Sequence, residues 1–587
     1  MLPGAMLPTT PLAAQPAVSD TPRPGRKSAQ PHYGLRAAWK LAVLGLLLEV
    51  LYLALYPLFA AAPAASSGAQ QAFSSLFPWL PRLYWTNAFP ALSQALARLP
   101  LPGLTVGNAG LLLALLVLAL LVVLLAWRVG RRVLRNRLSR VETGSLFWLL
   151  FLATALFSLT FLFAPPVQVQ NLFLYGFYGR MVAIYHVNPY VVSPSAFPHD
   201  LLYPLLPASA RGSVAPVGPV WLDISIPLAL FAHGDAGSMV IVFRLLGLAA
   251  HLVNTLLIWA ILAKVKPEMR IAATLLYGWN PLALLFAIAS MQQEVGIVLF
   301  LLLAVFFFQR KSLLLGWVFL LLAALINPLC LLLLPLFLRL LHYETRLLPR
   351  GRGWLWWFGC LSISALVIVL AYAPFWYGWG LHGLAAMLTQ TFWPVGAVNS
   401  LDAALIHLPV RPLPAFAWLF APHHWILFAA ILVALIVLLG VWLIDSLQLT
   451  LLFSSWLFLA LFIFFPVNWP WLLLPPLVLA LCAASGRTLL LAVLLLFGAL
   501  FSFYYDFSQP AWQGQALLTI GVPVLLWGWL LFFTSTWHMA RAGEEQEEAQ
   551  QNAAIAARKP ARTKGLSRPI WQGWASRPSW PGRRQQN

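Results

Sequence analysis

The chain has 587 residues, of which 61% are hydrophobic and 9% charged, with a mean hydropathy of +0.83. A water-soluble globule of this composition has no means of covering its surface, whereas hydrocarbon solvent calls for it, so a soluble enzyme is excluded and an all-α polytopic membrane protein is expected. The net charge of +20 falls in loops and the C-terminal tail, which ties it to topology and lipid contact, not to nucleic acid.

Residues 1–37 are Pro-, Ala- and basic-rich, with no short apolar core before a small-residue cleavage site, and are expected to be a disordered cytoplasmic N-terminus. The membrane domain is expected over residues 38–540. Its helices are read at about 38–60, 108–129, 145–165, 238–263, 271–290, 294–308, 312–326, 328–342, 354–374, 424–444, 446–466, 471–486, 488–504 and 516–536, about fourteen crossings, with twelve to fourteen compatible with the weak breaks. Runs near 15 residues reach only ~22 Å and must be short or packed deep. The break at Asn327-Pro328 is the least secure.

Arg128, Arg131, Arg132, Arg135, Arg137 and Arg140 crowd one loop, and Lys264, Lys266, Arg270, Arg310, Lys311, Arg346, Arg350 and Arg352 mark three more. All four fall on one side, cytoplasmic by the positive-inside rule, with both termini. Loops 61–107, 166–237 and 375–423 then face outward, and the apolar run 219–231 is read as interfacial, because a crossing there would turn Lys264, Lys266 and Arg270 outward. The tail 541–587 is acidic, then basic and Trp-rich; it is expected to be disordered and to lie on anionic lipid.

Cys330, Cys360 and Cys482 each sit in apolar runs and read as buried hydrophobes. The G-x-G-x-x-G string at Gly378, Gly380 and Gly383 follows a membrane helix, without the strand that a dinucleotide site requires. No cofactor is expected, and no residue pattern supports a divalent metal. The outward-facing acids are few: Asp200, Asp223, Asp235, Glu294, Asp402 and Asp506, with Glu49 inside the first helix and assigned to packing against a buried donor. An unpaired charge at membrane depth costs at least ~2.5 kcal/mol, which marks such groups as functional candidates. Glu294, beside Gln292 and Gln293, is the strongest, although the same residues fit a polar turn.

Between Gln170 and Pro204 runs a wet, patterned loop. A helix over 171–186 sets Asn171, Tyr175, Tyr178, Val182 and Tyr185 on one side and Phe173, Phe177, Arg180 and Ile184 on another, with Asn188-Pro189 as its stop. An aromatic helix of this kind is expected along the membrane interface, with Asn171 as N-cap and the tyrosines as an anchoring belt.

The segment LFLYGFYGRMVAIYHVNPYVVSPSAFPHDLLYP, with VGPVW at Val217 to Trp221, WNPL at Trp279 to Leu282, SMQQE ending at Glu294, YAPFW at Tyr372 to Trp376 and NWPW at Asn468 to Trp471, resembles polyprenol-phosphate-sugar-dependent mannosyltransferases of the GT-C superfamily. The resemblance covers about residues 145–480. It implies a GT-C-like bundle with interfacial helices in external loop 166–237. The implied activity is transfer of a hexose, mannose by likeness, from a polyprenyl-phosphate donor to a glycan or glycolipid acceptor at the external face. By the same resemblance Arg180 holds the donor phosphate, Asn171, Tyr175, Asn188 and Tyr190 orient sugar hydroxyls, and Trp221, Trp279 and Trp376 stack on sugar or line the lipid groove. The family's early loop Asp is Asn171 here, whose amide cannot accept a proton, so Glu294 and Asp200 become the candidate bases. The family's Tyr before Gly-Pro-Val-Trp is Val217, and a frequent Lys is Asn327. These departures carry a second reading, a non-catalytic carrier, flippase or assembly factor for lipid-linked sugars.

Overall fold

A computed structural model describes residues 32–61, 67–84, 107–135, 140–346, 353–376, 381–392, 398–406, 422–507 and 514–533. The described residues are helical and hold no strand; their one β-bridge joins Val398 and Val467. One compact unit, Met1–Trp527, contains every element that frames the site; the second runs from Gly528 to Asn587, and its described residues, 528–533, are helical.

The elements that frame the site are α1 (His32–Ala54), α2 (Asn108–Arg135), α3 (Arg140–Phe163), α4 (Gln170–Ala183), α5 (Pro219–Phe231), α6 (Ala236–Val265), α7 (Arg270–Gly278), α8 (Glu294–Gln309), α9 (Leu313–Ile326) and α10 (Gly353–Tyr372). Further along the chain, α11 (Leu447–Phe464), α12 (Leu474–Ala483) and α13 (Gly486–Phe507) close the core. Leucine, alanine and phenylalanine run round the whole circumference of most of these helices, as segments surrounded by lipid or other helices require.

Among the described residues nine helices are long and apolar enough to cross a membrane, or ten if the pair Pro267–Gly278 and Pro281–Ala289, bent by 52°, is one span. About fourteen crossings were expected. Every predicted run is helical, but 294–309, 313–326, 470–483 and 517–533 form apolar helices of at most 17 residues, about 26 Å at 1.5 Å per residue against a ~30 Å core. The break at Asn327-Pro328 is real: a 3-10 turn over Pro328–Leu333 separates α9 from the helix Leu334–Arg346. The first helix begins at His32, inside the stretch expected to be disordered; residues 1–31 and the tail 541–587 lie outside the described residues.

Three Asn-Pro pairs in the chain are used alike. Asn188, Asn280 and Asn327 each accept, through Oδ1, the N–H two residues on, at Tyr190, Leu282 and Leu329, over 2.9, 3.0 and 3.0 Å. The amide side chain caps the turn that the proline begins, so each pair ends one segment and starts the next.

Candidate active site

Helix α4 starts one residue before Asn171. Its N-cap is Val169, so Asn171 is free of the capping role assigned to it. The helix ends at Ala183, before the expected stop, where His186 takes φ +52°. From Leu172 to Met181 every residue is buried, so Tyr175 and Tyr178 pack inside the protein instead of forming the expected anchoring belt. Two glycines permit this burial. A Cβ on Gly179 would stand 2.4 Å from the Ser225 carbonyl oxygen of α5, and one on Gly176 would stand 2.6 Å from the Met239 sulfur of α6. Backbone therefore meets backbone along the α4–α5 seam. At 13 residues, α5 reaches ~20 Å and is too short to span.

Because 100° separates successive residues, Arg180 lies on the side of α4 opposite Asn171 and ~13 Å further along. The helix thus carries two separate polar clusters.

At the first, Asn171 Nδ2 donates to Gln292 Oε1 at 2.9 Å. One turn on, the Tyr175 hydroxyl hydrogen-bonds the Gln293 backbone, and its ring meets Trp221 edge to face at 5.5 Å. Trp221 in turn packs on Gly296, where a Cβ would stand 3.0 Å from the indole. The chain here is irregular: a π-turn over Leu285–Ala289 leads to Met291 at φ +46°, and α8 begins at Glu294. A buried non-glycine residue in the left-handed region costs about 1–3 kcal/mol and marks backbone held in place by its surroundings. Gln292 Nε2, Gln293 Oε1 and Glu294 Oε2 are all buried without a hydrogen-bond partner, as is Trp221 Nε1. Glu294, with Asn327, forms the polar lining of a cavity of about 30 Å³ otherwise walled by apolar side chains that include Cys330, Phe458 and Phe462. The loop is sewn to this region by Gly218, whose N–H donates to the Ile326 carbonyl at 2.9 Å and whose position leaves no room for a Cβ beside Leu325.

At the second cluster, Arg180 donates to Asp200 Oδ2 through Nε at 3.0 Å and Nη2 at 2.7 Å, and the Tyr185 hydroxyl donates to the same oxygen at 2.7 Å. The Leu202 N–H donates to Oδ1. Burial opposes ionisation of Asp200, but the hydrogen bonds from Arg180, Leu202 and Tyr185 outweigh it and hold the carboxyl below the usual range. Asp200 is therefore engaged as the counter-ion of Arg180, which corrects its expected standing as a free base. Nη1 of Arg180 points at Gly234, where a Cβ would stand 2.8 Å away and where φ is +78°.

The remaining predicted residues separate. Asn188 Nδ2 donates to the Phe375 carbonyl at 2.9 Å, and Tyr190 donates through its hydroxyl to the Val217 carbonyl at 2.8 Å while its ring meets Phe375. These side chains lock Asn-Pro-Tyr, Val-Gly-Pro-Val-Trp and Tyr-Ala-Pro-Phe-Trp together, in place of the free sugar-orienting groups expected. Trp279 is buried against Phe157 of α3, with its carbonyl accepting from Tyr52 of α1, away from both clusters. Trp376 is 73% exposed.

Two residues received no specific role from the sequence. Asp223, half-buried on α5, has Oδ1 buried without a hydrogen-bond partner and lies in electrostatic reach of Tyr190; burial pushes its carboxyl up to about 7. Its signal was its scarcity among outward-facing acids. Arg244, fully buried in α6, donates to the carbonyls of Ala289, Leu162 and Ala164 at 2.9, 2.9 and 2.6 Å. It ties the π-turn before Glu294 to the end of α3 before α4. Nothing in its apolar neighbourhood announced that. Glu49, by contrast, accepts from the Thr160 hydroxyl at 2.5 Å, the packing bond expected of it. Among the described residues no three His, Cys, Asp or Glu side chains gather as a metal site.

An all-helical polytopic membrane bundle that encloses an unpaired carboxylate beneath a loop-borne helix, with a guanidinium on the far side of that helix, is the class the structure defines. Residues 84–342 match the family model described as alpha-(1->6)-mannopyranosyltransferase, N-terminal domain. Over that stretch, less than half of the chain, the protein is similar to an alpha-mannosyltransferase domain. The matched stretch takes in α4, both polar clusters and Asn327; Tyr372–Trp376 and Asn468–Trp471 lie beyond it. No curated protein matches the chain.

Proposed function

We propose that the protein transfers mannose from a polyprenyl-phosphate-linked donor to a glycan or glycolipid acceptor at the external face of the membrane. The observation that carries this reading is the run of three consecutive side chains, Gln292, Gln293 and Glu294, each with a buried polar atom lacking a partner. Buried polar groups are nearly always satisfied, so such a concentration within a mannosyltransferase-like stretch marks a site that acts on something polar.

In this reading the acceptor hydroxyl gives its proton to the Glu294 carboxylate. The acceptor oxygen forms the new bond to the anomeric carbon, and the carbon–oxygen bond to the lipid phosphate breaks with its electron pair leaving on phosphate. Arg180, held by Asp200 through two hydrogen bonds on the opposite side of α4, orders the loop over the site and does not reach the phosphate that leaves beside Glu294. Trp376, exposed beside the interlocked loops, offers a flat face for sugar or lipid.

Radiolabelled mannose transfer in proteoliposomes tests this. Glu294→Gln should lower turnover by about 10²–10⁴-fold, with the melting temperature unchanged; full turnover in that variant would remove Glu294 as the base, and loss in Asp223→Asn instead would assign the role to Asp223. A second reading, a non-catalytic carrier of lipid-linked sugar, is favoured by one contact: the amide of Asn171, at the family's acidic position, is tied to Gln292. Donor binding by wild-type protein without transfer to any acceptor would select it.

A further inference from the structure

Two pockets adjoin at the N-terminal end of α1. One, of about 200 Å³, is lined by Arg36, Ala37 and Lys40 of α1 and by Val129, Arg132 and Val133 of α2. The other, of about 610 Å³ and almost wholly apolar, shares Arg36 and Lys40 and adds Leu35, Trp39 and Leu149.

The placement follows from helix geometry. Residues 36, 37 and 40 lie on one side of α1 at i, i+1 and i+4, and 129, 132 and 133 make the matching stripe on α2. The N-terminal end of α1 meets the C-terminal end of α2, so the two helices run antiparallel. Leu35 and Trp39, also one turn apart, lie on the neighbouring side of α1 that reaches α3 at Leu149. Leu149 stands fourteen residues, ~21 Å of helix, before the end of α3 that leads to α4. These pockets are therefore remote from both polar clusters of the candidate active site.

Among the described residues these charges have no counter-ion. Arg36, Lys40 and Arg132 are exposed, and the ion pairs among the described residues are Arg180–Asp200 and Lys311–Glu344. No Asp or Glu lines either pocket. Three cations gathered round one small pocket repel one another and draw in an anion. Leu35 and Trp39 are 72% and 71% exposed on a helix apolar enough to span, and a tryptophan so placed sits at headgroup level. A cationic pocket that shares its walls with an apolar groove fits an amphiphile whose anionic head and hydrocarbon chain are joined. A soluble anion would leave the groove unused.

We propose that this end of the bundle binds one anionic phospholipid, its phosphate among Arg36, Lys40 and Arg132 and an acyl chain along Leu35, Trp39 and Leu149. Basic pockets between membrane helices recognise phospholipid headgroups in this manner.

The test is native mass spectrometry of the full-length, delipidated protein with phosphatidylglycerol, with phosphatidylcholine of the same chains, and with glycerophosphoglycerol, the headgroup without chains. Wild-type protein should retain one phosphatidylglycerol at least about tenfold more strongly than phosphatidylcholine, and the chainless headgroup should not be retained. The triple variant Arg36→Gln, Lys40→Gln, Arg132→Gln should lose that preference, and the charge-preserving set Arg36→Lys, Lys40→Arg, Arg132→Lys should keep it. Equal retention of the two lipids by wild-type protein overturns the proposal. So does an unchanged preference in the triple variant, or retention of the headgroup alone, which would mean a free-anion site.

Discussion

The acids of this chain differ by their surroundings far more than by their sequence context. Glu294 is 2% exposed and Asp200 6% exposed, yet Asp200 accepts four hydrogen bonds, two of them from Arg180, while Glu294 keeps an oxygen without a partner. One is a structural counter-ion and the other a candidate base. Removing one partner of a buried pair costs about 3–5 kcal/mol, because the other charge is left buried. Asp200→Asn should therefore lower thermal stability in detergent strongly, and Asp200→Leu combined with Arg180→Met should recover much of it. The sign of the pH dependence follows from the lowered carboxyl. Its stabilising effect is fully present above the unfolded value near 3.9 and is lost as pH falls through the folded value. The stability gap between wild type and Asp200→Asn should be constant from about pH 5 to 8 and shrink below about pH 4; a gap that closes near neutrality would show that the pair does not hold as drawn. At this scale the sequence was legible in part. Glu294 stood out because acids are rare in an apolar chain, but nothing in the sequence says that Arg180 and Asp200, twenty residues apart, neutralise one another.

Helices and turns were the most legible scale, because apolar period, glycine and proline act locally. Asn188 and Asn327 were read as breaks, and both cap new turns, although α4 already ends at Ala183; Asn280 caps a turn inside a run read as one helix. What periodicity misjudged is α4. Its aromatic face suggested an anchoring belt, whereas glycines at 176 and 179 let it sink against α5 and α6. Gly179→Ala places a methyl 2.4 Å from a backbone oxygen that has no rotamer to escape into, so it should force α4 and α5 apart, lowering stability by about 1–3 kcal/mol and loosening both polar clusters. Hydrogen exchange over 170–183 and 219–231 checks this; unchanged protection in the variant would show that the seam is not tightly packed. Arg244 belongs to this scale too. It joins the π-turn to the end of α3 through carbonyls, a role that no sequence pattern signals because backbone acceptors are everywhere.

For the whole molecule, the bilayer sets the frame. Among the described residues the fourteen apolar runs are helical, and nine, or ten with the bent pair, have the length to cross; of the shorter ones, α8 begins at Glu294 and α9 ends at the Asn327 break. Placing loop 184–218 outside and the first turns of α3 inside makes a direct prediction. Ser195→Cys should react with a membrane-impermeant maleimide in intact cells, and Gly144→Cys should react only after permeabilisation, against a background of three buried native cysteines. The reverse pattern would invert the proposed face of the reaction. Composition and hydrophobic run length by themselves determined the solvent, the all-helical class and where the helices lie, because each residue meets that demand alone. Only the tertiary structure decided which polar groups are paired and which are left open. Those pairings join residues 121 positions apart at Asn171–Gln292 and 187 apart at Asn188–Phe375, and a hydrogen bond depends on where two distant segments come to lie, which no local pattern records.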